Sequence, residues 1–476
     1  MRRWTAVLGF GLLVILALVA VAAAAVYLTV EPLLLAVAAY LLGAGIVEAV
    51  RRSRKSPASW WVAHVALAPW PAIVLLPWVE HKIIAGSWVI AQTPLYDLDL
   101  PSTRRFHLVA LVGFVAGSCL ALFVGQRMAR ARRGDAKRQP IQIYWRAVLA
   151  LFSAALAAFL LSFRLADRPI TALWRLGGDI IYSQNVDDTQ RLSILDLAPI
   201  AAIGVILAAA AVRRRERTRP SALEMALLGV LMVLLLGEGN RFRLYLLLFG
   251  WLLIQFGPLL GGREGRVTRI VVVTVICVPL LIVSSFLTVQ IAALRSGQDA
   301  PPASDVLQVA VDSVDVVGTA EVLFQRVRPG ELAGESYTQL PGLFLPRRFV
   351  PDKQSPVADE LVRTQLIESS GFSAPLWIEP VLNFGTAGAM VFCLLYAFGA
   401  VLALQWLVLS TRTVPTALAL LGPVWLMLSY QLLSRLTTFG LLTTFASFVG
   451  GAALCAALSA RKAASAIESS PLRLSG

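Results

Sequence analysis

The chain has 476 residues, of which 58% are hydrophobic and 15% charged, and its mean hydropathy is +0.74. An ordinary soluble domain carries about 25% charged residues, so this composition excludes a soluble protein. The formal net charge is +14, but the basic residues are grouped in short polar segments between apolar stretches. That grouping is typical of cytoplasmic loops of a membrane protein and not of a nucleic-acid-binding surface.

The apolar stretches predict twelve transmembrane helices, because each approaches the 20 or so residues that cross the hydrocarbon core of a bilayer. They cover residues 4–28, 32–50, 58–79, 106–125, 144–163, 194–212, 222–237, 244–260, 270–290, 386–409, 416–433 and 441–460. Neighbouring basic clusters are separated by two such stretches, so both termini are predicted in the cytoplasm. The expected fold class is all-α, a polytopic integral membrane protein.

The predicted spans divide the chain into four regions. Residues 1–290 form a membrane domain with nine spans, and residues 291–385 form a large external loop. Residues 386–460 hold the last three spans, and residues 461–476 form a cytoplasmic tail that we expect to be disordered. The loop is far longer than a connector requires, and loops of such length are usually functional or disordered.

Two further patterns refine this topology. Between residues 305 and 327 the polar residues recur at three- and four-residue steps, which predicts an amphipathic helix, and a second short helix is predicted at 356–367. Prolines interrupt the stretch 58–79. The segment 83–92 is predicted either to dip back into the membrane beside a site or to follow a span that is merely kinked.

The sequence predicts neither a metal site nor a nucleotide site. The cysteines all fall inside apolar stretches, as small core residues do: Cys119, Cys277, Cys393 and Cys455. No histidine pairs with a cysteine or carboxylate at metal-ligand spacing, and the sequence contains no phosphate-binding glycine loop and no zinc-protease motif. No cofactor is therefore expected.

Several basic residues stand on the predicted external face, where charge is costly: Arg241, Arg243, Arg347, Arg348, Lys353 and Arg435. The planar guanidinium matches phosphate oxygens, so a group of arginines on one face can hold a diphosphate. The alternative is that these side chains snorkel to lipid headgroups. For Arg241 and Arg243 we favour the functional interpretation, because Glu238 alone cannot neutralise both in the short turn GEGNRFRL.

Carboxylates on the same face are candidates for a general base. Glu379 stands in PLWIEPVLNFG just ahead of the tenth span, in an apolar setting that favours proton uptake by a carboxylate. Glu335 and Asp352 are alternatives from the same loop, and any of the three can instead be solvated surface. Asn383 is predicted either to orient a sugar hydroxyl or to cap the following helix, and the cap is slightly favoured.

These residues resemble a known family. The segment GNRFRLYLLLFG, a dozen predicted spans and a large external loop near the C-terminus are similar to the Wzy-type O-antigen and exopolysaccharide repeat-unit polymerases. The loop segments PGLFLPRRFVPDKQSP and GFSAPLWIEPVLNFGTAGAM resemble that family's Pro-Arg, Pro-x-Lys segment and its acidic, Asn-Phe-Gly, Gly signature. The motifs cover roughly residues 230–400, and the rest of the chain is similar by topology alone.

The resemblance implies a GT-C-like glycosyltransferase of the bacterial plasma (inner) membrane. Such an enzyme joins polyprenyl-diphosphate-linked oligosaccharide repeat units at the outer face of that membrane, with no metal or nucleotide. The diphosphates would be bound by Arg241, Arg243, Arg347, Arg348 and Arg435 with help from Lys353. A carboxylate such as Glu379 would be the base. The implied partners are the lipid-linked donor and acceptor, the bilayer, a flippase and a chain-length regulator, with no nucleic acid.

Two other functions are weighed against this one. An O-antigen ligase, which passes the glycan to a lipid A core, resembles a polymerase in topology and donor, but family ligases use a histidine in the large loop. Residues 291–385 contain no histidine, which favours the polymerase. A lipid-linked oligosaccharide flippase is disfavoured. Transporters tend to place ionisable groups at the bilayer midplane and to show repeated halves, whereas here the middles of the predicted spans are nearly free of charge and the large loop has no counterpart.

Overall fold

The structure is a computed structural model of the whole chain. It describes residues 89–90, 93–94, scattered positions between 106 and 124, 144–165, 197–215, 219–238, 241–260, 286, 290, 324, 327–338, 377–410 and 444–458. About 90% of the described residues are helical, which confirms the all-α class. The helices are α1 (Trp145–Leu165), α2 (Ala198–Arg215), α3 (Ala222–Glu238), α4 (Arg241–Leu260), α5 (Glu335–Thr338), α6 (Ile378–Ser410) and α7 (Thr444–Leu458).

A small hairpin and a further helical segment complete the described elements. Strand β1 (Val89–Ile90) pairs antiparallel with β2 (Thr93–Pro94), with Val89 opposite Pro94 and Ile90 opposite Thr93. The described positions between 106 and 124 are all helical, as the sequence predicts for 106–125. The short pairing at 89–94 overlaps the end of the segment 83–92 that was predicted to dip back or to follow a kinked span.

The long helices coincide with predicted spans, although their ends differ. Helices α1, α2, α3 and α7 match, in that order, the predicted spans 144–163, 194–212, 222–237 and 441–460 to within a few residues. Helix α4 begins three residues before the predicted span 244–260, and α6 begins eight residues before the predicted span 386–409. Among the described residues, one helical segment is long and apolar enough to cross a membrane: Ile378–Ala403, with a hydropathy of 2.0. The predicted spans 4–28, 32–50, 58–79 and 416–433 lie outside the described residues, so twelve spans remain a prediction.

The chain divides into two compact units. The first comprises Met1–Arg133, Pro302–Ser410 and Trp425–Leu441, and the second comprises Gly134–Pro301, Thr411–Val424 and Leu442–Gly476. Of the described elements, the hairpin, the helical positions between 106 and 124, α5 and α6 belong to the first unit. Helices α1 to α4 and α7 belong to the second.

The second unit is built around α2, which is buried on all sides from Ala202 to Ala211. A helix that is apolar all round has to be enclosed by other helices or by lipid, and α2 packs against α1, α3 and α4. Its small side chains also allow α7 to approach closely. A Cβ on Gly204 would meet the Phe448 carbonyl of α7, and a Cβ on Gly451 would meet the Ala201 carbonyl of α2.

A buried ion pair joins three helices of the second unit. Arg213 near the end of α2 donates from Nε and Nη2 to the carboxylate of Glu224 in α3, at 2.5 and 3.0 Å. Trp251 in α4 donates to the same carboxylate at 3.3 Å. Ser221 precedes α3 and accepts from the Glu224 amide, which is the N-cap arrangement. Arg213 belongs to a predicted cytoplasmic basic cluster, yet its charge is enclosed and paired.

In the first unit, α6 packs on the helical segment between 106 and 124. Gly113 and Gly117 form a Gly-x-x-x-Gly pair, and a Cβ on either would lie within 2.4 Å of the Met390 or Leu394 carbonyl oxygen of α6. Only glycine allows two helices to approach so closely at this spacing. Cys393 is fully buried on α6, and Cys455 is buried on α7, as expected of small core residues.

The opposite face of α6 is exposed and apolar. Val391 is 55% exposed and Leu395 is 60% exposed, while Ala397 and Val401 are fully buried. A loop of the first unit, residues 327–338, contacts the beginning of α6 through backbone hydrogen bonds. We call this segment the docked loop; its last four residues are α5.

Candidate functional site

The candidate site lies at the start of α6, where Glu379 occupies the first turn. Trp377 just before it is fully buried and its ring packs against Phe324, with the centroids 6.3 Å apart. Ile378 is buried as well. These apolar anchors fix the start of the helix, and an acidic residue in the first turn interacts favourably with the helix dipole. Glu379 therefore lies at the start of a helix that begins ahead of the predicted span 386–409.

The helix is interrupted one turn and a half later, at Gly385. Its φ of 66° and ψ of −154° are not helical, and that combination is essentially restricted to glycine. In a continuous helix the carbonyls of Val381 and Leu382 would accept from the amides four residues later. Here the carbonyl of Val381 accepts from Gly330 at 2.9 Å, and that of Leu382 accepts from Leu332 at 3.1 Å. The docked loop thus replaces helical hydrogen bonds at the break.

The docked loop follows a path that glycine and aromatic side chains determine. Gly334 has a φ of +93°, and a Cβ there would lie 3.2 Å from the ring of Phe384. The ring of Tyr337 stacks on Phe384, with centroids 5.7 Å apart and an interplanar angle of 9°, and lies 6.2 Å from Phe392. Between Gly334 and Tyr337, this path places the side chain of Ser336 against α6, where it is buried.

Three polar side chains meet where the docked loop contacts α6. Asn383 Nδ2 donates to Ser336 Oγ at 2.7 Å, and Ser336 Oγ donates to Glu379 Oε1 at 3.0 Å. Asn383 Nδ2 also donates to the backbone carbonyl of Glu379 at 2.7 Å. We call these residues the Glu379 triad. Ser336 and Asn383 are buried, while Glu379 is half-buried. The carboxylate is therefore held by a hydrogen bond and is still partly accessible at the protein surface.

Asn383 does not cap a helix. It lies in the second turn of α6, and its amide oxygen Oδ1 is buried with no hydrogen-bond partner among the described residues. A capping side chain would use that oxygen to accept from a backbone amide of the first turn. The slightly favoured prediction of a cap is therefore wrong. Asn383 instead links the docked loop to the residue that carries the carboxylate.

The other predicted carboxylates are placed differently or lie outside the described residues. Glu335 is the first residue of α5 and is exposed, and its backbone carbonyl accepts from Thr338 Oγ1 at 2.8 Å. It adjoins Ser336 in sequence but is not part of the Glu379 triad. Asp352 lies outside the described residues. Of the three predicted carboxylates, Glu379 is thus the one that the described residues hold in place by the side-chain hydrogen bond from Ser336.

Arg241 and Arg243 lie in the first turn of α4, in the second unit. They were expected in the turn before the helix, but α4 begins at Arg241, and Arg243 is half-buried. The first turn of α4 contains no acidic residue. Two arginines therefore fall in the first turn of a helix, whose dipole is positive at that end, and helix N-termini favour an anion such as a phosphate.

The remaining predicted phosphate-binding residues lie outside the described residues: Arg347, Arg348, Lys353 and Arg435. Most of the predicted amphipathic helix at 305–327 and all of the predicted helix at 356–367 also lie outside them. Only Phe324 and Val327 of the first stretch are described, Phe324 as helix and Val327 as a bend at the start of the docked loop.

Ser336 is the functional candidate that sequence reasoning missed. It is separated in the sequence from its two partners by 43 and 47 residues, and a serine in a polar loop carries no distinctive pattern. The segment GELAGES did offer a partial signal, because two glycines four residues apart indicate a turn. Nothing in that signal indicates which residue the serine contacts.

Comparisons of the chain with known protein families, with curated proteins and with solved structures find no match.

Proposed function

We propose that this chain is a membrane-embedded glycosyltransferase that polymerises polyprenyl-diphosphate-linked oligosaccharide repeat units at the outer face of the bacterial plasma membrane. The observation that carries the proposal is the Glu379 triad: a half-buried carboxylate, oriented by a buried hydroxyl, in the first turn of an apolar helix. A base at the end of such a helix is well placed for a substrate whose lipid lies in the bilayer and whose glycan lies outside it.

The chemistry requires only groups of the kind that this chain provides. The hydroxyl oxygen of the acceptor sugar attacks the anomeric carbon of the donor, and the bond between that carbon and the diphosphate oxygen breaks. The diphosphate leaves with the bonding electron pair, and the hydroxyl proton passes to Glu379. A positioned base of this type contributes about 10²–10⁴-fold to the rate. Because the donor bond supplies the energy, the reaction needs no nucleotide.

The leaving diphosphate requires positive charge, which arginines would supply. Arg241 and Arg243 in the first turn of α4 are proposed to bind diphosphate oxygens, since a helix N-terminus favours an anion and arginine matches phosphate oxygens. The same role is proposed for Arg347, Arg348 and Arg435, with Lys353 assisting. Charge-neutral replacement of Arg241 or Arg243 is expected to abolish polymer formation while the protein still reaches the membrane.

The proposal is tested by reconstituting the full chain in lipid vesicles with a polyprenyl-diphosphate-linked repeat unit. A ladder of products is expected from the wild type, and Glu379→Gln should lower the rate of its formation by about 10²–10⁴-fold. Glu335→Gln is the matched control: it makes the same change at an exposed carboxylate of the docked loop and should leave the ladder unchanged.

Other products would indicate other functions. Transfer of a preformed glycan to a lipid A core, with no ladder, would identify a ligase, and movement of the substrate across the membrane with no covalent product would identify a transporter. A ladder that Glu379→Gln leaves intact would support polymerisation but remove Glu379 as the base.

A further inference from the structure

We propose that Ser336 is a positioning residue, held by Asn383, which donates to Oε1 of Glu379 and so holds the carboxylate in the orientation in which it receives the proton of the acceptor hydroxyl. The inference rests on the proposed function, in which Glu379 is the base. It assigns to the docked loop a direct part in preparing that base.

The orientation of the Asn383 amide is set by its two acceptors. Its nitrogen lies 2.7 Å from Ser336 Oγ and 2.7 Å from the backbone carbonyl oxygen of Glu379. If the amide were rotated by 180°, its oxygen would face that carbonyl oxygen, and two acceptors would repel each other. Both amide hydrogens are therefore committed, one to each acceptor.

The hydrogen bond from the Asn383 amide in turn determines the direction in which the Ser336 hydroxyl donates. A serine hydroxyl has one hydrogen and two lone pairs, and Asn383 donates to one of these lone pairs. The hydroxyl hydrogen is then directed to Glu379 Oε1, 3.0 Å away. Because Ser336 is only 7% exposed, bulk water has little access to compete for this hydrogen. The three groups form a one-way series of donors that ends on the carboxylate.

This series is compatible with both protonation states of Glu379. When the carboxylate takes up the proton of a sugar hydroxyl, Oε1 can remain the carbonyl oxygen of the protonated acid. A carbonyl oxygen still accepts from Ser336, so the hydrogen bond persists and the triad need not rearrange during the transfer. Preorganisation of this kind lowers the barrier of a proton transfer because little reorientation accompanies it.

The same contact makes the base dependent on the docked loop. Ser336 is held in place by the loop hydrogen bonds to Val381 and Leu382 and by the stacking of Tyr337 on Phe384. The contact thus crosses from one segment to another, and the orientation of Glu379 is expected to be lost whenever the loop leaves α6.

The kinetic test compares Ser336→Ala with Thr338→Val in the reconstituted full chain. Thr338 belongs to the same short helix, but its hydroxyl donates to the Glu335 carbonyl and is exposed, so it is a matched control for hydroxyl loss. Removal of a residue that orients a metal ligand typically costs about 10–100-fold in activity, and we expect the same scale for a residue that orients a catalytic carboxylate. We expect Ser336→Ala to lower kcat by that factor with KM nearly unchanged, Ser336→Thr to restore kcat, and Thr338→Val to have no effect.

A second measurement does not depend on activity. Infrared difference spectra across an acid titration contain the carboxyl band of protonated Glu379, identified as the band that Glu379→Gln removes. A carboxyl group that loses a hydrogen bond at its carbonyl oxygen absorbs at higher frequency, so Ser336→Ala should shift this band upward and Thr338→Val should not.

The outcomes separate this inference from the proposed function. If Ser336→Ala polymerises as fast as Thr338→Val while Glu379→Gln is inactive, the positioning role is overturned and the polymerase stands. An unshifted carboxyl band in Ser336→Ala overturns the positioning role in the same way. If the wild type forms no ladder, the proposed function falls together with the part assigned to Ser336 in it, whereas a shifted band would still establish the hydrogen bond.

Discussion

Replacing Glu224 with glutamine tests whether the buried ion pair of the second unit is held by its charges. Arg213 and Glu224 have side chains that are 4% and 1% exposed, so the glutamine variant removes the carboxylate charge from an enclosed guanidinium. It also sets an amide N–H₂ against a guanidinium donor. Breaking a buried pair on one side costs about 3–5 kcal/mol, and we expect the free energy of unfolding of Glu224→Gln to fall by that amount.

The companion variants separate charge from geometry. Arg213→Met combined with Glu224→Gln removes both charges, and replacing both members of a buried pair is often nearly neutral, so the double variant should recover most of the loss. Arg213→Lys keeps the charge but not the paired Nε and Nη2 contacts, and should fall in between. Trp251→Phe removes one hydrogen bond to the carboxylate and should cost about 1–2 kcal/mol.

The free energies come from denaturant titration of the purified protein in mixed micelles, combined in a double-mutant cycle. A coupling of at least about 2 kcal/mol between Arg213 and Glu224 is expected, since most of the loss in either single variant is the stranded charge. If the double variant is as unstable as Glu224→Gln, the residues act through packing volume, and the electrostatic reasoning is refuted.

Glycine substitutions, each with a control, test the close helix contact and the helix break of the first unit. Gly117→Ala would put a Cβ 2.1 Å from the Leu394 carbonyl oxygen and should lower the free energy of unfolding by about 1–3 kcal/mol. Gly229→Ala is the control: its Cβ meets nothing within 4 Å, and it should raise the free energy of unfolding by up to about 1 kcal/mol. Equal melting temperatures of the two variants would contradict the close packing at Gly117. Gly385→Ala forces alanine to a φ of +66° at a cost of about 1–3 kcal/mol and should expose the docked loop to limited proteolysis. Gly399→Ala in the same helix is the control, and identical cleavage of the two variants would argue against a required break.

The positions of the long helices could be predicted from sequence because apolar length and composition are local properties. The stretches at 144–163 and 222–237 recur as α1 and α3 within a few residues. The ends of α4 and α6 were less predictable. Both helices extend into polar sequence, since tertiary contacts and capping partners, and not hydropathy, decide where a helix stops.

The candidate site was predicted in part. Glu379 was selected for its apolar neighbours, and it does stand in a structured, half-buried setting. Its position within the first turn, the link through Ser336 and the role of Asn383 were not predictable, because they depend on a contact between segments more than 40 residues apart. Arg213 shows the same limit in the second unit, where a charge that fits a loop pattern is paired inside a helical core.

Composition and the spacing of apolar runs determined by themselves that this protein is all-α, because backbone hydrogen bonds in long apolar segments are satisfied most simply within a helix. They also marked the residues whose charge is hard to explain. Only the tertiary structure determined which charged side chains have hydrogen-bonding partners. The break at Gly385 frees two carbonyls, the docked loop satisfies them, and that docking brings a serine hydroxyl to the carboxylate of Glu379. Hydrogen bonds of this kind depend on distances between segments, which a sequence pattern does not contain.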